Sequence, residues 1–453
     1  MISQKYFKNR SSGTVIVDIL MALALSVLFI AIMTSTSIDS YGSFERAKER
    51  SLLLDAYGSS SSNINSRPYG NDRIQTDLEA APISNASSTL RFTQVLMRSL
   101  PDLIKAAGTP LCSVDFSDKG KAPAGIVQVT MPIDPLLPLT DLEVRDSIAY
   151  ISADSSTASD PDLFIVDIRD VASPAVLSSI NTGPGIASMA LAGKRIYAAS
   201  PSSAAQLHII RLDGLDRPVL EKKYRLPPPY DATATPPLAS SIFYSGGDVY
   251  IGTEKWDGEE LGIIDVSDPL WPVRVGGLEI GSKINDILVR DGLAYIASGN
   301  QGQLIIADAR DPAHPIITNT FSPSGWSRQE GKSISVFEGS IDFSRTSGGY
   351  NIASDHEAFV WPENPFAAPI TALAGPVSVD IPGGVYGIIS DRSNVYLATR
   401  QNDKEFQIFD HSFTASTSRA YPLPIAPQTM ACGGDRLYIL AHTAPVIYEI
   451  SFK

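Results

Sequence analysis

The sequence has few cysteines, few histidines and a deficit of positive charge. Its 453 residues include two cysteines and five histidines, and 36 lysines and arginines stand against 49 aspartates and glutamates. Two cysteines exclude a disulfide scaffold and a zinc ribbon and allow at most one bridge. Because the net charge of -13 repels phosphate backbones, we expect no nucleic-acid partner.

Motifs that carry catalysis or bind cofactors are also missing. The sequence contains no HExxH, no paired-histidine metal motif, no Walker A loop and no nucleophile constellation. Each histidine is isolated from the others along the chain: His208, His314, His356, His411 and His442. We therefore predict no metal site, no cofactor and no catalytic residue, and a protein that is not an enzyme.

Long apolar runs are rare, and the sequence has one, near its N-terminus. Residues 14–33 read TVIVDILMALALSVLFIAIM and follow a short segment that carries Lys5, Lys8 and Arg10. As a helix, twenty residues span about 30 Å, enough to cross a bilayer once. Asp18 interrupts the run, and a carboxylate in hydrocarbon costs on the order of 2.5 to 3.5 kcal/mol, so Asp18 is a functional candidate.

The spacing of Gly13, Thr14 and Asp18 resembles the class III leader of type IV prepilins and pseudopilins. The resemblance implies that a prepilin peptidase cuts after Gly13 and methylates Thr14. It further implies that Asp18 neutralises the terminal amine of a neighbouring pilin subunit during filament assembly. The usual first residue is Phe or Met and the usual acid is Glu, so both positions depart from the family pattern. A signal peptide or a plain anchor is the alternative interpretation.

The chain divides into four parts on this interpretation. Residues 1–13 form the leader, 14–57 a hydrophobic helix for the membrane and the filament core, and 58–122 a linker with a small helical region. Residues 123–453 form a repeat domain. The resemblance places the helix in the inner membrane as a single pass before assembly, and the repeat domain then lies outside the cytoplasm at the cell surface or on a pilus.

Two phrases recur through the repeat domain. One is an apolar strand followed by a polar turn and proline, as in LGIIDVSDPLWPVR from Leu261 and LIIADARDPAHPII from Leu304. The other has a central aromatic residue, and seven copies lie 42 to 53 residues apart: Tyr150, Tyr197, Tyr250, Tyr295, Phe343, Tyr396 and Tyr438. This period is typical of four-stranded propeller blades. We predict a mainly β fold, a seven-bladed β-propeller preceded by the long pilin-like helix.

The units resemble the LVIVD repeat of secreted and surface-attached bacterial and archaeal proteins. IIDVSDPLWPV, from Ile263 to Val273, is the nearest copy, and AFVWPENPFAAP from Ala358 is the most degraded. The resemblance implies a fold and no particular activity. We expect aspartates such as Asp265 and Asp268 to cap backbone amides at the turn, and the aromatic residues to pack between blades.

The two ends of the repeat domain are expected to meet. The last unit has sequence for only three strands, and AGIVQVTMP from Ala124 alternates apolar residues, so it can supply the missing outer strand. This closure brings Cys112 and Cys432 to the same blade, which makes a disulfide plausible outside the cytoplasm. Two free buried thiols are the alternative.

Propellers bind partners through variable loops, so we expect the long insertions to form the functional surface. They lie at residues 154–162, 226–238, 323–331 and 344–357, and the candidate ligand-face aromatics are Tyr230, Trp256 and Trp326. The function predicted is a minor pilin or pseudopilin that displays the propeller to an unknown surface ligand. Two alternatives stay open, a membrane-anchored propeller lyase or hydrolase and a signal-anchored structural surface protein outside any pilus.

Overall fold

The computed structural model describes residues 122–452, apart from 156–159, 215–216, 228–235, 300–302, 323–328, 338–339, 348–356, 362–375 and 414–417. The predictions on the leader and the N-terminal helix lie outside these residues, as do those on Gly13, Thr14, Asp18 and Cys112. In the described part of the chain, no helix has the length and apolar character needed to cross a membrane.

The described residues form seven antiparallel sheets of four strands each. The first strand, β1 (Pro123–Thr130), belongs to the last blade. Blade 1 consists of β2 (Leu139–Arg145), β3 (Ile148–Ala153), β4 (Leu163–Asp167) and β5 (Ala175–Ile180). Blade 2 consists of β6 (Ser188–Ala192), β7 (Arg195–Ala199), β8 (Leu207–Leu212) and β9 (Pro218–Tyr224). Blade 3 consists of β10 (Ala239–Ser245), β11 (Asp248–Thr253), β12 (Leu261–Asp265) and β13 (Val273–Leu278). Blade 4 consists of β14 (Ile284–Arg290), β15 (Leu293–Ser298), β16 (Leu304–Asp308) and β17 (Ile316–Phe321).

The remaining three blades complete the ring. Blade 5 consists of β18 (Gln329–Phe337), β19 (Ser340–Ser347), β20 (Glu357–Trp361) and β21 (Val377–Asp380). Blade 6 consists of β22 (Val385–Ser390), β23 (Asn394–Thr399), β24 (Phe406–Asp410) and β25 (Arg419–Tyr421). Blade 7 consists of β26 (Pro427–Gly433), β27 (Arg436–Ala441), β28 (Val446–Phe452) and, as its outer strand, β1 (Pro123–Thr130). The predicted seven-bladed, mainly β architecture is confirmed.

The core lies between neighbouring blades, because the second and third strands of each blade are apolar on both faces. The seven repeated aromatics sit on the second strands and are at most 4% exposed. Tyr197, for example, stacks on Tyr244 of the next blade with ring centroids 5.1 Å apart. The expectation that these rings pack between blades is therefore confirmed, and burial of strands on both faces explains their continuous apolar runs.

The turns explain the polar part of each repeat. Asp265 Oδ1 accepts a hydrogen bond from the Ser267 amide at 2.8 Å, and Asp268 Oδ1 accepts one from the Leu270 amide at 3.0 Å. Asp308 and Asp311 repeat both bonds one blade later. These carboxylates are structural, as predicted, because each replaces a backbone acceptor in the turn.

The ring closes through its N-terminal strand. β1 pairs antiparallel with β28, from Pro123 opposite Phe452 to Thr130 opposite Val446. The predicted closure is confirmed. This pairing covers the edge that β28 would otherwise expose and gives blade 7 its fourth strand.

Strand direction gives the propeller two distinct faces. We call the upper face the one at which first strands begin, second strands end, third strands begin and fourth strands end. All four long insertions attach there, because they join second to third strands or fourth to first strands. The strands also extend into two of the predicted insertions, since β18 already begins at Gln329 and β19 continues to Ser347. The lower face carries the short hairpins between first and second strands.

Candidate functional site

A cavity of about 570 Å³ lies on the axis of the propeller and is lined by the first strand of every blade. One lining residue near the upper start of each first strand defines its mouth, and we call this set the mouth ring: Thr140, Ala187, Ser240, Asn285, Lys332, Tyr386 and Gln428. Six of the seven carry polar groups. The volume of this cavity lies in the range of small-molecule sites.

Two cations flank the aromatic member of the mouth ring. The guanidinium carbon of Arg400 lies 3.6 Å from the ring centroid of Tyr386, and Lys332 Nζ lies 5.7 Å from the same centroid. Such contacts hold a cation by the negative face of the ring. Arg400 also donates from Nε to the Pro427 carbonyl and from Nη2 to Gln428 Oε1, both at 3.0 Å. The guanidinium is therefore fixed in orientation.

His442 and Lys283 are further basic residues near these two cations, and burial together with the charges of Arg400 and Lys332 lowers the pKa of His442. His442 Nδ1 lies 2.7 Å from Gln428 Oε1, the same oxygen that accepts from Arg400. Lys283 Nζ forms an ion pair with Glu254 Oε1 at 2.7 Å, so its charge is compensated locally. Within the described residues, by contrast, Lys332 and Arg400 form no ion pair with a carboxylate. These two cations of the mouth therefore have no direct salt-bridge partner in that part of the chain.

Burial makes both charges costly. Desolvation is the main cause that lowers the pKa of Lys332, and the positive charges of Lys283 and Arg400 lower it further. Asp286 and Glu330 act in the opposite direction. Desolvation likewise lowers the pKa of Arg400. A half-buried cation without a direct ion pair favours any ligand group that supplies negative charge.

Three acids lie in the cavity beside the mouth ring. Desolvation raises the pKa of Asp141, and it raises the pKa of Asp286 to about 6. The pKa of Glu143 is raised well above its usual range, first by desolvation and then by the charge of Asp141. The cavity therefore combines a basic mouth with an acidic interior.

Asp141 and Asp286 have a structural role as well. Asp141 Oδ2 accepts from the Met189 amide at 2.9 Å and from Ser188 Oγ at 3.0 Å, which joins blade 1 to blade 2. Asp286 Oδ2 accepts from the Ile334 amide at 2.8 Å and joins blade 4 to blade 5. Asp141 and Asp286 thus fix the spacing of the first strands that carry the mouth ring.

A second set of buried polar side chains fixes the upper face, and the sequence analysis missed it. Each lies directly before a third strand and bonds to the backbone where the fourth strand ends. Glu260 Oε2 accepts from the amides of Ile280 and Gly281 at 2.8 and 3.0 Å, and Glu405 Oε2 accepts from the Leu423 amide at 2.9 Å. The set comprises Asp162, Gln206, Glu260 and Glu405, all at most 9% exposed. In the sequence, this set can be recognised as the polar residue that directly precedes each repeated apolar third strand.

Some of the predicted site residues belong to the described part of the chain and others do not. Trp256 lies in the β11–β12 connection on the upper face, where its half-buried ring packs over Gly258. Tyr230 and Trp326 lie outside the described residues. Cys432 lies on β26 of blade 7 and is disulfide-bonded. The only other cysteine in the sequence is Cys112, outside the described residues. Among the described residues, no three His, Cys, Asp or Glu side chains are grouped to hold a metal ion.

Seven four-stranded sheets around an axial cavity define a seven-bladed β-propeller. Three segments, residues 141–182, 238–277 and 281–322, match the family model described as LVIVD repeat. They coincide with blades 1, 3 and 4, so the chain carries LVIVD repeats in these blades.

Solved structures share this fold at low sequence identity. The WD40 β-propeller domain of Doa1 has a TM-score of 0.50 and 11% identity, covering 74% of this chain and 98% of that one. Raptor from Chaetomium thermophilum has a TM-score of 0.52 and 13% identity, covering 79% of this chain and 31% of that one. No curated protein matches the sequence. These likenesses establish the fold and carry no activity.

Proposed function

We propose that the propeller is a recognition module that binds its ligand at the mouth of the axial cavity. The observation that carries this proposal is the cavity itself, whose basic mouth lies on the face to which all four long insertions attach. Loops that join the ends of strands can vary without disturbing the blades, so this face is the one best able to evolve a binding site. We further propose that the chain is a minor type IV pilin or pseudopilin that displays this module.

The pilin proposal rests on the N-terminal sequence. Gly13 precedes the apolar run, Thr14 begins it and Asp18 is its only acid. A prepilin peptidase and other pilin subunits are then the partners, with the inner membrane as the location before assembly. The propeller exceeds 300 residues, so one on every subunit would crowd a helical filament. Sparse or tip incorporation fits a domain of this size.

The first test of the pilin proposal is mass spectrometry of the mature N-terminus. We expect the chain isolated from its native cells to begin at Thr14 and to carry one added methyl group. Gly13→Leu serves as the matched variant and should leave the leader attached, because the resemblance implies that the peptidase cuts after glycine. An intact leader on the native protein, or a start at another residue, would contradict the pilin proposal.

The test of the recognition proposal blocks the cavity. Ala187 is the one mouth-ring residue without a polar side chain, and it is partly exposed. Ala187→Trp should fill the mouth and lower binding of the displayed protein to cell surfaces by about tenfold. Ala313→Trp, on an exposed turn of the lower face, adds the same indole away from the cavity and should leave binding unchanged. Equal binding by the two variants would contradict a site at the mouth.

The enzyme alternative draws support from one observation, the raised pKa of Glu143 in the cavity. A protonated carboxyl group could act as a general acid toward a bound substrate. Asp141 and Asp286 are engaged in hydrogen bonds between blades, which leaves Glu143 as the candidate. Glu143→Gln would abolish turnover in an enzyme and would leave recognition largely intact.

A further inference from the structure

The basic mouth and acidic interior together restrict the chemistry of the ligand. Resting on the proposed recognition function, we infer that the mouth binds a small polyhydroxylated carboxylate, a sugar acid, with its carboxylate on Lys332 and Arg400 and its hydroxyl groups toward the cavity. The inference concerns only the chemical class of the ligand group and does not identify the surface that presents it.

The carboxylate position follows from the donors left over at the mouth. Arg400 uses Nε and Nη2 for Pro427 and Gln428 and also interacts with Tyr386, which leaves part of its five N–H donors for a ligand. Lys332 Nζ has no hydrogen-bond acceptor among the described residues and contacts the ring of Tyr386 instead. Charge-assisted hydrogen bonds to a carboxylate are about twice as strong as neutral ones. An anion bound between these donors would also relieve the repulsion between the two cations.

The orientation of the ligand follows from the acids below the mouth. Asp141, Glu143 and Asp286 line the cavity, and burial raises the pKa of each, so negative charge is disfavoured in the interior and a ligand carboxylate is better placed at the mouth. Hydroxyl groups suit this region, because they donate to carboxylates and exchange hydrogen bonds with serine and threonine. The lining supplies Ser188, Ser333, Ser335 and Thr429 on three different blades. The acids therefore keep the ligand's carboxylate at the mouth and accept hydrogen bonds from its hydroxyl groups.

The same arrangement disfavours other ligand classes. A neutral sugar would leave Lys332 and Arg400 without a direct ion pair, and an apolar ligand would leave the acids and hydroxyls without partners. A nucleic acid would meet both the interior carboxylates and a net charge of -13. A cavity of about 570 Å³ accommodates a single small molecule rather than a folded chain.

The experiment is isothermal titration calorimetry on the full-length protein in detergent, with D-glucuronate, D-glucose, acetate and inorganic phosphate as separate probes. We expect glucuronate to bind at least about tenfold more tightly than glucose or acetate. Lys332→Met and Arg400→Met should each weaken glucuronate binding by about tenfold or more. Lys223→Met removes an exposed cation on β9, away from the cavity, and should change binding by less than about twofold.

The outcomes separate this inference from the recognition proposal. Glucose binding as tight as glucuronate binding, acetate or phosphate binding as tight as glucuronate binding, or no binding of any probe would overturn the sugar-acid inference. Retained glucuronate affinity in both Lys332→Met and Arg400→Met would also overturn it, provided that far-ultraviolet circular dichroism shows the variants folded. Loss of surface binding in Ala187→Trp alongside any of these results would leave the recognition proposal standing.

Discussion

Replacing Val129 with aspartate is expected to unfold the propeller, whereas the same change at Val127 is expected to be tolerated. Both residues lie on β1, which closes the ring by pairing with β28. Val129 is 1% exposed and belongs to the apolar cluster between blades 7 and 1, while Val127 is 40% exposed. An unpaired buried carboxylate costs several kcal/mol, and whole domains are stable by only about 5 to 15 kcal/mol.

Thermal and urea denaturation followed by circular dichroism will measure the difference. We expect Val129→Asp to lose about 3 kcal/mol or more of unfolding free energy, or to fail to fold, and Val127→Asp to lose less than about 1 kcal/mol. Val129→Ala keeps the site apolar and should fall between the two. Matching midpoints for the two aspartate variants would mean that β1 does not close the ring.

The sequence predicts the blades well because their second and third strands are buried between neighbours. Tyr250 and Tyr295 recur at the propeller period since each fills the same space between sheets. The turn aspartates recur because each replaces the same backbone acceptor. Closure was also predictable, because a three-stranded last unit needs a fourth strand from the other end of the domain.

The candidate site was not predicted, and the reason lies in the first strands. Their mouth-ring positions hold different side chains in every blade, such as Asn285, Lys332 and Tyr386. No repeat phrase marks them, since the axial cavity requires no common packing. Their convergence depends on ring geometry, which brings residues of seven distant segments together. An alignment of the seven blades on their hairpins locates the mouth-ring position in each blade. The chemistry of the ligand, however, follows only from all seven mouth-ring residues taken together.

Glu260→Ala is expected to destabilise the protein strongly, although the neighbouring Glu259→Ala should have little effect. Glu260 is fully buried, and its Oε2 accepts from the amides of Ile280 and Gly281. Glu259 is 43% exposed in its side chain and pairs with Arg274 at the surface. Hydrogen bonds to a charged acceptor contribute about 1.5 to 3 kcal/mol each, while exposed ion pairs contribute about 0 to 1 kcal/mol.

The expected loss for Glu260→Ala is about 2 to 4 kcal/mol of unfolding free energy, since two buried amides lose their acceptor. Glu259→Ala should lose less than about 1 kcal/mol. Glu260→Gln keeps one carbonyl acceptor and should recover part of the loss. Hydrogen exchange should locate the effect at residues 279–283, the connection from β13 to β14 that carries Lys283 beside the mouth. If Glu260→Ala and Glu259→Ala were equally stable, the buried side chains before the third strands would not hold the upper face. The geometry of the mouth would then depend on Asp141 and Asp286 alone.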